Sequence, residues 1–191
     1  MASLVIGLGN PGGEYARTRH NVGWMCLDLL EARGRFGRTR RDGPARVREG
    51  SVDGYDIVTA RPQTYMNLSG RAATHLVRHY GVPSEDLIVV HDDVDLPLGR
   101  LRLKRGGSAA GQKGVRSIAD SLRTQDFVRV RIGVSRPPDR DQMVDYVLDG
   151  FEPAEREQLS SVLERAASAV LTIIVRGLDA AMTEFNRVAD S

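Results

Sequence analysis

The chain has 191 residues, one cysteine and a formal charge of +2 at pH 7. That length suits one domain with a sizeable core and is short for two, so a single domain over 1–191 is expected. The lone Cys26 excludes an internal disulfide. No apolar run reads as long enough to span a bilayer, and the N-terminus lacks the basic-then-apolar order of a signal peptide, so the expectation is a soluble cytoplasmic protein without membrane contact.

In chain order, Leu4 to Ile6 predict a short buried strand and Gly7 to Arg19 a long polar loop. Val22, Met25, Cys26, Leu29 and Leu30 then recur at helical spacing, predicting a helix over 21–33 with Asn21 as its cap and Cys26 as core. The stretch from Arg33 to Glu49 is rich in Arg and Gly and poor in apolar residues, and reads as a mobile, solvated loop. Tyr55 to Ala60 predicts a strand, and 69–80 a helix ended by Gly81-Val82-Pro83. Leu87 to Val90 is a continuous aliphatic run, the mark of a strand buried on both faces, and it delivers His91-Asp92-Asp93 to its C-terminal end.

Leu101 to Lys104 alternates as a strand with one wet face. A glycine-rich loop is expected over 106–114, a short helix over 115–122 and a strand over 128–134. After Pro137-Pro138 and a turn near Gly150, Pro153 sits where a first helical turn tolerates it. Leu159, Val162, Leu163, Ala166, Val170, Ile173 and Ile174 then mark a long amphipathic helix, and a last helix follows Gly177. Strands alternate with helices and no repeat appears, which predicts an α/β domain around a central sheet.

Residues 7–12, GLGNPG, match the G-x-G-x-x-G pattern of dinucleotide-binding loops. The context argues against that use. No helical apolar face follows Gly12, the next strand starts only near residue 55, and Asn10-Pro11-Gly12-Gly13 is turn chemistry. At the far side of the loop stands His20. An aspartate beside an imidazole fixes its tautomer and stabilises the imidazolium formed when it takes a proton, and Asp92 at a strand end is such a partner. Taken alone, His20 also reads as a packing residue and Asp92 as a turn residue. With no G-x-S-x-G elbow and no exposed cysteine, water is the nucleophile such a base would serve. Two ligand groupings, His91/Asp92/Asp93/Asp95 and the His75, His79 pair four residues apart, are weak metal signals, and no metal or cofactor is expected.

The segments GLGNPGGEYARTRHNVG, RPQTYMNLSG, VVHDDVDLPLG and FVRVRIGVSRP, in this order and spacing, resemble the signature segments of bacterial peptidyl-tRNA hydrolases. The resemblance runs from about Leu4 to about Phe151 and loosely beyond. It implies an α/β globule with a mixed, twisted β-sheet flanked by helices, acting as a monomer. It further implies hydrolysis of the ester joining a peptide to the terminal adenosine of tRNA, which recycles peptidyl-tRNA shed from ribosomes. By the same resemblance His20 is the general base and Asp92 its orienting carboxylate, while Asn10 and Asn67 hold the peptide and the reacting centre. Tyr15 and Met66 line the cleft, and Lys104 with Arg131 grips the 5′ phosphate of the acceptor stem.

One segment departs. Where the family has a glycine-rich loop ending His-Asn-Gly, this chain has GGSAAGQKG, placing Gln112 and Lys113 at the His and Asn positions. An asparagine carbonyl accepts a hydrogen bond from water or ribose; an ammonium only donates. Lys113 therefore adds charge at the substrate end while removing an acceptor. The rival reading is a relative on the same fold, such as the chloroplast intron-splicing factors, that binds RNA without hydrolysis. Asn10, His20, Asn67 and Asp92 together favour the enzyme.

Overall fold

Alternation along the first strand settles how the sheet is covered. In the computed structural model, which describes residues 1–187, β1 (Ser3–Gly7) sends Leu4 and Ile6 into one apolar cluster and Val5 into another. A strand apolar on both sides needs a helical layer on each face. Residues 188–191 of the expected domain lie outside the described residues.

The remaining elements are α1 (Val22–Ala32), β2 (Arg35–Phe36), β3 (Arg40–Asp42), β4 (Ala45–Val52), β5 (Tyr55–Pro62), α2 (Ser69–Tyr80) and β6 (Ile88–Asp93). They continue as β7 (Leu101–Arg105), α3 (Lys113–Leu122), β8 (Val128–Gly133), α4 (Met143–Val147), α5 (Arg156–Arg176) and α6 (Leu178–Phe185). The strand order is β2-β4-β5-β1-β6-β8-β7, with β3 paired to β4. The central strands β5, β1, β6 and β8 are parallel, and the pairs β4–β5 and β7–β8 at the flanks are antiparallel. Helices α1, α5 and α6 cover one face; α2 and α3 cover the other. This is the mixed, helix-flanked sheet expected.

Close backbone approach explains two glycines of the first segment. A Cβ on Gly23 would sit 2.5 Å from the Val90 carbonyl, and one on Gly7 would sit 2.7 Å from the Gly23 carbonyl. Only glycines let α1 lie across the ends of β1 and β6. The glycines of GLGNPG thus serve packing and turning rather than a phosphate.

Three expectations need correction. The 33–49 segment is not a mobile loop: it forms β2, β3 and the first half of β4. Ala45 and Val47 point inward while Arg46 points to solvent, so half the residues were bound to look polar. Some of the segment's arginines are also paired: Arg48, together with Arg61 of β5, donates to Glu31, a largely buried carboxylate that Thr59 also serves. Burial raises the Glu31 pKa, but these partners outweigh it and hold it below its ordinary value. The second correction concerns α5, which with its leading turn is long and apolar enough to cross a membrane by length and composition. Here Val162, Ala166, Ala169 and Val170 on that helix are fully buried in the core cluster that contains α1. Third, α4 was not anticipated, because five residues give periodicity no room to register.

Candidate active site

The C-terminal ends of β1 and β6 lie side by side, and the chain leaves them into the 7–21 loop and the 93–100 loop. Such an edge is where parallel α/β sheets offer polar groups to ligands. There a cavity of about 350 Å³ is lined by Asn10, Tyr15, His20, Met66, Asn67, Asp92 and Lys113, so seven residues selected from the sequence share one space, together with Gln112.

His20 sits in a short 3-10 turn before α1 and is 9% exposed. Its Nδ1 lies 2.7 Å from Asp92 Oδ2. With that nitrogen donating to the carboxylate, Nε2 carries the lone pair and is the basic atom of a ring that borders the cavity. Asp92 is 2% exposed, and its other oxygen accepts from Gln112 Nε2 at 2.9 Å. Gln112 also caps α3, its Oε1 accepting from the Val115 amide at 2.8 Å. One side chain therefore fixes a helix terminus and the carboxylate together, a tie that single-position reading of the sequence had no means of finding.

Asn10 is held as firmly. Its backbone N–H donates to Asn21 Oδ1 at 2.9 Å and its carbonyl accepts from Asn21 Nδ2 at 3.0 Å. Its side-chain oxygen accepts from the Met66 amide at 2.8 Å, which commits the acceptor and leaves Nδ2 as the donor for a ligand. Asn21 was expected to cap α1 through its side chain. It stands at the N-cap position without such a bond, its amide being engaged by Asn10.

Met66 is buried, Asn67 is exposed in the same turn, and Lys113 is exposed at the start of α3. The sequence reading missed Tyr65, Val94 and the apolar wall from Met143, Val144, Val147 and Leu148, and it took Asp93, which also lines the cavity, only as a weak metal ligand. Val144 is an exposed large apolar residue, a mark that is visible only once α4 is recognised.

Lys104 and Arg131 lie outside the cavity lining. Register places Lys104 opposite Arg129 and Arg131 opposite Arg102 on the antiparallel β7–β8 pair, so all four basic side chains share one sheet face. Burial and the neighbouring charges of Arg131 and Arg129 push the Lys104 ammonium below its ordinary pKa. Asp93 links this face to the cavity, its Oδ2 accepting from Arg131 Nε at 2.7 Å.

The metal grouping His91/Asp92/Asp93/Asp95 comes apart. Burial pushes the His91 imidazole down, keeping it neutral, and its Nδ1–H donates to the Asp92 carbonyl at 2.8 Å. The three carboxylates turn to His20, Arg131 and Arg136 respectively. Cys26 is fully buried and burial pushes its thiol up to about 12, so it is inert as a nucleophile.

The peptidyl-tRNA hydrolase family model matches residues 4–191. The chain is 46% identical to the peptidyl-tRNA hydrolase of Nocardia farcinica over 186 residues, covering 96% of each. It is 48% identical to that of Mycobacterium avium over 187 residues, covering 97% of this chain and 96% of the relative. Among solved structures, the peptidyl-tRNA hydrolase of Acinetobacter baumannii superposes with a TM-score of 0.91 at 31% identity, covering 97% of this chain and 94% of that one. A family model spanning nearly the whole sequence, near-full-length relatives and a shared fold place this chain in the peptidyl-tRNA hydrolase family.

Proposed function

We propose that this enzyme hydrolyses the ester of peptidyl-tRNA by general-base catalysis, with His20 as the base and Asp92 as its orienting carboxylate. The observation that carries the reading is the 2.7 Å contact from His20 Nδ1 to Asp92 inside the cavity, which leaves Nε2 as a base for water. Water attacks the ester carbonyl as Nε2 takes its proton. The tetrahedral intermediate then collapses, the carbon–oxygen bond to the ribose breaks, and the imidazolium returns the proton to the departing 3′ oxygen. Asp92 stays ionised throughout and offsets the imidazolium charge.

Asn10 Nδ2 donates to a peptide carbonyl, and Asn67 serves the reacting centre. Neutral amides bond backbone of any sequence, which suits an enzyme that accepts many peptides. Tyr15, Met66 and the α4 residues supply apolar walls to the cleft, and Lys113 meets the acceptor end. The reading includes a monomer working in the cytoplasm. The identities and fold above favour the hydrolase over a non-catalytic RNA-binding relative. Purified peptidyl-tRNA incubated with the protein should yield free tRNA and peptide; intact substrate beside tight tRNA binding would select the RNA-binding reading.

Gln112 acts as a positioning residue through Asp92. In Gln112→Leu one oxygen of a buried carboxylate loses its donor, an imbalance of about 1–3 kcal/mol. The expected result is a roughly ten-fold lower kcat with little change in KM, alongside a loss of about 1 kcal/mol of stability from the missing cap. Steady-state kinetics and thermal melts separate the two effects, and Gln112→His, which restores a ring N–H donor, should recover part of kcat.

A further inference from the structure

The second sequence pair of histidines gains a partner that the sequence could not supply. His75 and His79 are one turn apart on α2, and residues four apart on a helix share a face. Facing them is the tip of the β3–β4 hairpin, the segment that reads as loop from sequence. Its Gly43 has φ +56 and packs so closely that a Cβ would lie 2.8 Å from the His75 ring. That approach brings Asp42 Oδ1 to 2.7 Å from His75 Nε2 and 3.2 Å from His79 Nδ1.

We propose that Asp42, His75 and His79 form a binding site for one divalent transition-metal ion, zinc by preference, which ties the β3–β4 hairpin to α2. The three donor atoms lie within 4.8 Å of one another. A tetrahedral ion bonded at ~2.0–2.2 Å to each needs donors about 3.4 Å apart, so the two histidine–aspartate distances have to open slightly and the two histidine nitrogens, no more than 4.8 Å apart, to settle near the same spacing. Two imidazole nitrogens and one carboxylate oxygen form a borderline donor set that selects zinc, cobalt or nickel over magnesium or calcium. Each neutral ring turns to the ion the nitrogen that now faces Asp42 and carries its proton on the other nitrogen; both rings are partly exposed, so water accepts from those N–H groups and fills the fourth position.

The carboxylate is prepared for this role. Asp42 is 6% exposed, and its second oxygen accepts from Tyr80 Oη and Arg40 Nη1, each at 3.2 Å, which fixes its direction as an outer shell fixes a ligand. Arg40 also pairs with Glu49, which balances its charge beside a cation. The ligands come from positions 42, 75 and 79, so an ion held by all three binds the folded chain and not the unfolded one, and stabilises it. The hydrolytic site is elsewhere and the proposal does not rest on it.

The test uses chelator-stripped full-length protein and zinc chloride in calorimetric titration, with thermal melts in zinc and in chelator. Parent protein should bind one zinc per chain and melt higher with zinc. His79→Ala, which removes a half-exposed side chain, should bind roughly ten-fold or more weakly, and His75→Ala,His79→Ala should lose both the binding and the melting shift. A cobalt titration should give the visible bands of a four-coordinate N,N,O site in the parent and none in the double variant. Hydrolysis of peptidyl-tRNA by that variant should match the parent, and His20→Ala should bind zinc as the parent does. No saturable binding, binding retained in the double variant, or binding lost in His20→Ala overturns the proposal.

Discussion

His20→Ala is expected to lower kcat by about 10²–10⁴, the usual yield of a positioned general base, while tRNA binding changes little. The reason is geometric. His20 reaches the cavity with one nitrogen and gives the other to Asp92, so its removal deletes the base that Asp92 is arranged to support. The residues proposed to grip the rest of the substrate stand on other elements: Asn67 on the turn before α2, Lys104 on β7 and Lys113 on α3. Asp92→Asn should also be slow for a distinct reason. An amide in that place can donate to Nδ1, which favours the tautomer whose Nε2 carries the proton and has no lone pair for water. Single-turnover hydrolysis with saturating enzyme, compared with filter binding of uncleaved substrate, checks both variants. Most of the turnover surviving in His20→Ala would remove it from the role of base.

The two halves of the site were unequally legible. Asp92 drew attention because the aliphatic run Leu87–Val90 marks a buried strand that delivers it to its C-terminal end, although taken alone it read equally as a turn residue, and Asp93 beside it does serve an ion pair. His20 was legible as the polar residue standing before an apolar helix. The tie between them through Gln112 was not, since a glutamine before a helix reads the same whether its amide faces water or a carboxylate. Asn21 shows the converse: its position predicted a cap, and tertiary contact with Asn10 took the side chain instead. The 33–49 segment was lost because an edge hairpin buries one side only and because Arg33 and Arg48 pair with Glu164 and Glu31, carboxylates outside the segment, which composition cannot register.

Removing the 5′ phosphate from an elongator peptidyl-tRNA should lower kcat/KM by roughly ten-fold or more, at about 1.4 kcal/mol per decade. The basic face of β7 and β8 provides the reason. Arg102, Lys104, Arg129 and Arg131 stand on one side of adjacent strands, where Arg129 is buried and bound to the carbonyls of Ser108 and Gln125, leaving Lys104, Arg131 and the exposed Arg102 to face a ligand, with Lys104 and Arg131 the pair nearest Asp93. Arg131 is further fixed by Asp93 through Nε, so the two terminal nitrogens of its fork remain to meet phosphate oxygens in a set direction. Burial and neighbouring cations push the Lys104 ammonium down, and a dianionic phosphate placed beside it relieves that repulsion. Each charge-assisted bond is worth ~1.5–3 kcal/mol gross and less where water competes, so two of them cover a ten-fold effect. In the Lys104→Ala,Arg131→Ala variant the phosphorylated substrate should be cleaved about as poorly as the dephosphorylated one is by the parent, and dephosphorylation should then matter little. The four kcat/KM values form a closed cycle whose coupling term reads the contact directly. A double variant that still discriminated as strongly as the parent would place the phosphate elsewhere, with Arg105 and Lys113 the next side chains to replace.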